Sequence, residues 1–322
     1  MGAVASGVVV GRLAPSPTGL LHLGHARSFL LAWWSARARG GRVLLRLEDL
    51  DRARVKPGMA EACLRDLEWL GLDWDGSVVM QSAGEEHLRA AAASILERGL
   101  AYPCVCTRRE VELAASAPHE GDGTLRYPGT CRARFLSPAE AERESGRPAA
   151  LRLRVPPGAV AFEDALRGRV SFDVAREVGD FPLTGRDGQV AYQLAVVVDD
   201  ARQGVTEVLR GDDLLASTAR QVLVQEALGL PRPVWVHVPL VLDAAGRRLA
   251  KRADGLSLAR LRAEGVSPRA VVAWAARSAG MECGDGAATP AELVASFDLA
   301  RLPREPVRLA PEVLAALRAG GG

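Results

Sequence analysis

Along the chain, the spacing of apolar positions switches between that of buried strands and that of amphipathic helices. Val8 to Leu13 and Val43 to Leu47 are short apolar runs bounded by glycine and charge, which predicts two buried strands. The stretch between them predicts a helix over Ala26 to Arg39, and the three elements make a βαβ unit with a parallel sheet. Pro57 opens a second helix, with Ala60, Cys63, Leu64, Leu67 and Leu70 at helical spacing and Gly71 after them; another covers Glu85 to Leu96. From Tyr102 to about Gly188 the regular pattern breaks, and this stretch reads as an inserted subdomain containing a strand, Ala150 to Val155. Val190 to Val198 and Val205 to Leu209 then predict strands, Ser217 to Leu228 a helix ended by Gly229, and Val234 to Leu242 a further strand. Beyond Asp254 the spacing predicts short helices over Leu258 to Glu264, Pro268 to Ala279, Pro290 to Ser296 and Pro311 to Ala319.

Composition narrows the class. The 322 residues are 48% hydrophobic and 25% charged, with a formal net charge of +2, an ordinary balance for a soluble protein of two or three domains. No stretch approaches the roughly 18 apolar residues of a membrane span, and no basic leader opens the chain, so a cytoplasmic protein without a membrane partner is expected. The net charge is too small to argue for or against a nucleic-acid partner. Only two lysines, Lys56 and Lys251, occur among 41 basic residues. A lysine is therefore a hint of chemistry, since a compact ammonium suits a phosphate where arginine offers a broad fork. Lys56 lies beside Pro57 and Gly58 and reads as a surface cation, and Lys251 lies in a basic loop, Gly246 to Arg252.

Three groups of residues carry candidate chemistry. The segment from Arg12 to His25 leaves a strand through Pro15, Pro17, Gly19 and Gly24 and enters a helix, a corner whose exposed backbone amides suit phosphate. His22 and His25, three apart, fall on one side of the first helical turn and can donate to phosphoryl oxygens. Glu48, Tyr192 and Arg210 stand at strand ends, where open α/β sheets place ligands, and with Arg12 they can hold a small zwitterion. Cys104, Cys106 and Cys131 form a C-x-C-x24-C cluster that suits zinc or a set of reduced structural thiols; Tyr127 and His119 are the candidate fourth ligands, Tyr127 being nearer.

These motifs, in this order, resemble the class I aminoacyl-tRNA synthetases in the form used by the glutamyl enzymes. Pro15-Ser16-Pro17-Thr18-Gly19-Leu20-Leu21-His22-Leu23-Gly24-His25 is similar to their HIGH signature, and Arg46-Leu47-Glu48-Asp49-Leu50-Asp51 to their R-x-E-D-x-D segment. Arg248-Leu249-Ala250-Lys251-Arg252 sits where the KMSKS loop belongs, and the blocks Gly188 to Asp200 and Gly204 to Leu214 match as well. The resemblance runs from about residue 8 to 255. It implies a Rossmann-like, doubly wound parallel sheet. Residues 1–103 and 189–255 would be the halves of the catalytic domain, 104–188 an inserted zinc-binding subdomain, and 256–322 a short helical region. Because Arg252 to Gly322 is too short for a large anticodon-binding region, the chain is most similar to the shortened glutamyl-Q branch, which attaches glutamate to queuosine in the anticodon of tRNA(Asp).

The resemblance also implies roles. Glutamate would be held by Arg12, Leu13, Ala14, Pro15, Ser16, Glu48, Tyr192 and Arg210, with Glu48 on the α-ammonium and an arginine on the side-chain carboxylate. ATP, with Mg2+, would meet His22, Gly24, His25 and Lys251, and catalysis would fall to His22, His25 and Lys251. One zinc would sit on Cys104, Cys106, Tyr127 and Cys131 in a monomeric enzyme. The lysine loop departs from the pattern: Arg248 stands for its first lysine and Ala250 for its serine. A shortened tRNA(Glu) synthetase and a non-catalytic sensor of amino acid or RNA remain as alternatives. A basic face for RNA is expected from Arg260, Arg262, Arg269, Arg277, Arg301, Arg304 and Arg308.

Overall fold

The computed structural model describes residues 7–114, 126–249, 256–283 and 288–319. Its elements follow the apolar spacing closely in the first third. Strand β1 (Val10–Leu13) leads through the proline corner into α1 (Leu23–Arg37), then β2 (Arg42–Leu47), α2 (Met59–Trp69), β3 (Val79–Met80) and α3 (Glu85–Glu97). Short elements follow: β4 (Ala101–Cys104), α4 (Arg108–Ala114), α5 (Pro138–Ser145), β5 (Ala150–Leu153), the hairpin β6 (Val160–Asp164) and β7 (Gly168–Phe172), and α6 (Val174–Glu177). Ser137 caps α5 through its hydroxyl, and Pro138 starts it where no amide partner is needed. The chain then forms α7 (Tyr192–Arg202), β8 (Glu207–Gly211), α8 (Leu215–Leu228), β9 (Val234–Val238), β10 (Val241–Leu242), α9 (Leu258–Ala263), α10 (Pro268–Ser278), β11 (Val307–Arg308) and α11 (Pro311–Ala319).

One expectation is overturned here: Val190 to Val198 is no strand but lies largely within the helix α7. Valine-rich runs favour strands, yet this one is buried on every side from Leu194 to Asp200, so neither a two- nor a 3.6-residue alternation was legible in it. The expected strand over Val234 to Leu242 is broken at Pro239 into β9 and β10, and Ala291–Ser296 is a 3-10 helix.

The sheet is mostly parallel. β1 pairs with β2 and β2 with β3, all parallel, and β8 pairs with β9 in parallel over its whole length. β1 and β8 lie side by side, Thr206 donating its N–H to the Val10 carbonyl at 2.9 Å while the Val10 N–H reaches the Thr206 hydroxyl at 2.9 Å. β6 continues the array beyond β9 through one parallel pair, Asp164 with Trp235.

Alternation along these strands sorts side chains into two apolar layers. Leu13, Val43, Leu45, Leu47, Leu209, Val236 and Val238 pack with α1, α2 and α10, whereas Leu44, Val208 and Trp235 pack with α3, α7 and α8. By the same parity Arg12, Arg46, Arg210 and His237 fall on the α7/α8 face, and the strand register sets Arg210 beside His237. A third apolar cluster gathers Tyr102, Cys104, Tyr127, Cys131 and Phe135 around the cysteines. No helix among the described residues is long and apolar enough to cross a membrane.

Candidate active site

The carboxyl ends of β1, β2 and β8 open into a cavity of about 690 Å³, within the usual range for small-molecule sites. Arg12, Glu48, Tyr192 and Arg210 line one end of it, and His22, Gly24 and His25 another, with Arg248 and Leu249 also in its wall. Ala14, Pro15 and Ser16 line it too, whereas Leu13 is fully buried in the core and does not. The corner is held to β2 because the Glu48 N–H donates to the Pro15 carbonyl at 3.0 Å.

A buried ion network supports the first group. The Arg46 guanidinium, with no exposed surface, reaches Asp200 at 2.8 Å and Glu48 at 3.2 Å, and donates to the Gln203 side chain at 2.7 Å. Arg12 donates to the Leu209 carbonyl at 3.3 Å and lies 3.6 Å from Asp200. Its buried Nε has no hydrogen-bond partner among the described residues. Arg210 donates from Nε to His237 at 3.1 Å and from NH2 to Thr218 at 2.9 Å and Gln221 at 2.7 Å; NH1 sits 3.4 Å from the Tyr192 hydroxyl. Three guanidiniums against the carboxylates Glu48 and Asp200 leave this end net positive. That balance suits a ligand with two carboxylates and one ammonium. Burial pushes the Glu48 carboxyl above its ordinary range, against the pull of Arg46 and Arg12. Burial likewise lowers the Arg210 guanidinium, partly offset by Tyr192.

At the other end His22 is the N-cap of α1, one residue outside the helix where a place in its first turn was expected, and His25 is its third residue. Each imidazole accepts the other's backbone N–H at Nδ1, His22 from His25 at 3.4 Å and His25 from His22 at 3.2 Å. This reciprocal cap fixes both rings in the tautomer that carries its proton on Nε2. The rings stack 3.7 Å apart. A side chain at Gly24 would meet the His22 ring at 3.1 Å, so glycine lets the ring lie against the helix start. The Leu258 N–H donates to the Leu21 carbonyl at 2.8 Å and His22 forms a bridge with Ser257, so the residues just after the basic loop are stitched to this corner. Within that loop Arg248 pairs with Asp213 at 2.5 Å; Lys251 and Ala250 lie outside the described residues.

The cysteine cluster forms a separate site. The sulfurs of Cys104, Cys106 and Cys131 lie within 4.8 Å of one another, a spacing that can hold a metal ion. The Tyr127 hydroxyl stands 3.3 Å from Cys104 Sγ and 3.6 Å from Cys106 Sγ and accepts the Cys131 N–H at 2.9 Å, so of the two candidate fourth groups it is at hand. His119 lies outside the described residues. Arg152 donates to Cys104 Sγ at 3.2 Å, and although burial disfavours its thiolate, hydrogen bonding to Tyr127 and the charge of Arg152 bring the Cys104 thiol below its ordinary value. Burial instead raises Cys106 to about 12.

Sequence reasoning singled out neither Arg46, Asp200 nor His237 as a site residue. Charged strand ends are ordinarily solvated, and only the three-dimensional register shows these to be buried. The signal available was the parity that puts Arg46 on the same face as Leu44 and Glu48.

Residues 8–314 match the family described as tRNA synthetases class I (E and Q), catalytic domain. The protein named Glutamyl-Q tRNA(Asp) synthetase in Symbiobacterium thermophilum is 47% identical over 97% of this chain and 99% of its own length. The protein of the same name in Nocardia farcinica is 51% identical over 92% of this chain and 91% of its own. Among solved structures, a glutamate tRNA ligase from Elizabethkingia meningosepticum in complex with its amino acid superposes with a TM-score of 0.82 at 27% identity, over 95% of this chain and 68% of that one. The chain is therefore a member of the class I tRNA synthetases of the E and Q type, ligases by family.

Proposed function

We propose that the protein activates glutamate with ATP and transfers it to the queuosine base in the anticodon of tRNA(Asp), in the cytoplasm and as a monomer. The observation that carries the first step is the net-positive cavity end formed by Arg12, Glu48, Tyr192 and Arg210, beside the paired imidazoles of His22 and His25. The RNA acceptor rests on the names of relatives that match the chain over nearly its whole length.

In this reading Glu48 pairs with the α-ammonium and Arg210, with the Tyr192 hydroxyl beside it, takes the side-chain carboxylate. Arg12 and the Ala14 to Ser16 backbone fix the α-carboxylate for in-line attack on the α-phosphorus of ATP. The bond to pyrophosphate breaks as glutamyl-adenylate forms, and most of the acceleration comes from positioning and charge neutralisation. His22 and His25, each a proton donor at Nε2, stabilise phosphate oxygens together with the Gly24 amide. ATP arrives as its Mg2+ complex, and Lys251 neutralises charge on the departing pyrophosphate. A hydroxyl of the queuosine cyclopentenediol then attacks the activated carbonyl and AMP leaves. Residues 1–103 and 189–255 serve as the catalytic halves, with 104–188 and 256–322 as zinc-binding and helical accessories on a Rossmann-like, doubly wound sheet.

Labelled glutamate incubated with ATP and either tRNA(Asp) or tRNA(Glu), with and without queuosine, tests the acceptor. Label on queuosine-bearing tRNA(Asp) alone is expected; label on tRNA(Glu) instead overturns the assignment. Because only ionised Glu48 attracts an ammonium and its carboxyl is raised by burial, the KM for glutamate should climb as pH falls from neutral into the raised range of that carboxyl, before glutamate's own carboxylates protonate. A flat profile, or one unchanged in Glu48→Gln, refutes that role.

The cysteine cluster fits zinc: three sulfurs and a phenol oxygen stand at the mutual distances a tetrahedral ion spans. Bound there, zinc would crosslink β4 to the turn before α5 and supply stability rather than catalysis. Metal analysis should find about one zinc per chain, reduced by Cys106→Ser, and chelation should lower the melting temperature; a metal-free protein with unchanged melting rules the site out.

A further inference from the structure

Beneath Arg210, on the side away from the cavity, lies a buried pair that no role above uses. His237 on β9 has no exposed surface, and Asp164, the last residue of β6, is 3% exposed. The Asp164 carboxylate receives four N–H groups. The Leu166 and Arg167 amides reach Oδ1 at 3.0 and 2.8 Å, and the His237 amide and ring Nδ1 reach Oδ2 at 3.1 and 2.6 Å. A carboxylate so surrounded accepts and does not donate, so the ring proton of His237 sits on Nδ1 and Nε2 is left as an acceptor. Nε2 faces Arg210 Nε at 3.1 Å and the Thr218 hydroxyl at 3.0 Å, and Thr218 with Gln221 takes Arg210 NH2. Trp235, stacked beside His237, lies under the guanidinium 5.0 Å from its carbon.

We propose that Asp164 and His237 are positioning residues for amino-acid selection: the pair fixes the imidazole as an acceptor, which orients the Arg210 fork so that NH1 faces the cavity beside Tyr192. The proposal rests on the reading of Arg210 as the ligand of a substrate carboxylate. A guanidinium has five N–H donors in a rigid plane, so anchoring Nε and NH2 determines where NH1 is presented. Arginine has several rotatable bonds, and without the anchor its fork would sample other arrangements and lose affinity for a carboxylate. The anchor also reaches across the fold, since Asp164 ends a strand of the β6–β7 hairpin whereas Arg210 belongs to β8.

Two substitutions separate positioning from mere packing. Asparagine at 237 keeps a polar group at the level of Nδ1, opposite Asp164, and offers nothing at Nε2; glutamine places its amide oxygen near Nε2 and can accept from Arg210. In glutamate-dependent ATP–pyrophosphate exchange, His237→Asn should raise the KM for glutamate about 10- to 100-fold while the KM for ATP moves less than about twofold, and His237→Gln should recover most of the loss. Equal increases in both KM values, or no rescue by glutamine, overturn the proposal. In the wild-type protein 15N resonances of His237 should report the Nδ1–H tautomer whatever the variants' stability; an Nε2–H or doubly protonated ring also overturns it. Arg210→Ala serves as the reference. If it leaves the KM for glutamate unchanged, the carboxylate reading itself falls; if it raises that KM and His237→Asn does not, only the positioning proposal falls.

Discussion

Arg210→Ala is expected to reduce kcat/KM for glutamate by roughly 30- to 5000-fold, the effect of about 2–5 kcal/mol for truncating one partner of a buried charged contact. The loss should sit mainly in KM for glutamate, because a carboxylate that takes no part in the reaction is bound alike in ground and transition states. Arg210→Lys should rescue little. The ammonium is a point charge, whereas the native fork meets His237, Thr218, Gln221 and Tyr192 at once. Exchange assays titrated separately with glutamate and ATP check this. If the alanine variant loses activity through ATP, with glutamate KM unchanged, Arg210 does not recognise the amino acid.

The sequence made some of this site legible and hid the rest for identifiable reasons. Proline and glycine mark the Arg12 to His25 corner because backbone geometry demands them, and β1 before it and α1 after it follow the apolar runs. Glu48, Tyr192 and Arg210 could be picked out because each ends or begins a regular run. The Val190 to Val198 run misled, since a helix buried all round loses the polar face that would betray its period. The consequence was functional as well as structural. On a helix, Tyr192 opens the first turn at the cavity while Asp199 and Asp200 fall two turns on, inside the protein, where Asp199 takes His87 and Gln81 and Asp200 takes Arg46. Partners such as Arg46 with Asp200 and Arg210 with His237 lie on different elements. Spacing within one segment carries no information about them: the register of β8 on β9 sets Arg210 beside His237, and the packing of α7 against the sheet sets Asp200 beside Arg46.

Arg46→Met should show how far folding depends on that hidden network. Removing the cation leaves Glu48 and Asp200 buried with less compensation, a change that typically costs about 3–5 kcal/mol. At roughly 2–4 °C per kcal/mol for a chain somewhat smaller than this one, calorimetry should record a melting point lower by about 6–20 °C. The deficit should shrink on acidification. Glu48 already titrates above its ordinary range, and losing Arg46 moves it further up, so the folded variant binds more protons than the unfolded chain. Its stability therefore rises as pH falls through the raised carboxyl values, and a deficit that instead grew with acid would contradict the network. Adding Asp200→Leu to Arg46→Met should restore part of the melting point, because an apolar pair of similar volume avoids the desolvation of both ions. Activity should not return with it. Glu48 would still lack the guanidinium that holds its carboxylate, and Arg12 would lose the carboxylate 3.6 Å away, so glutamate would meet a stable but misaligned site.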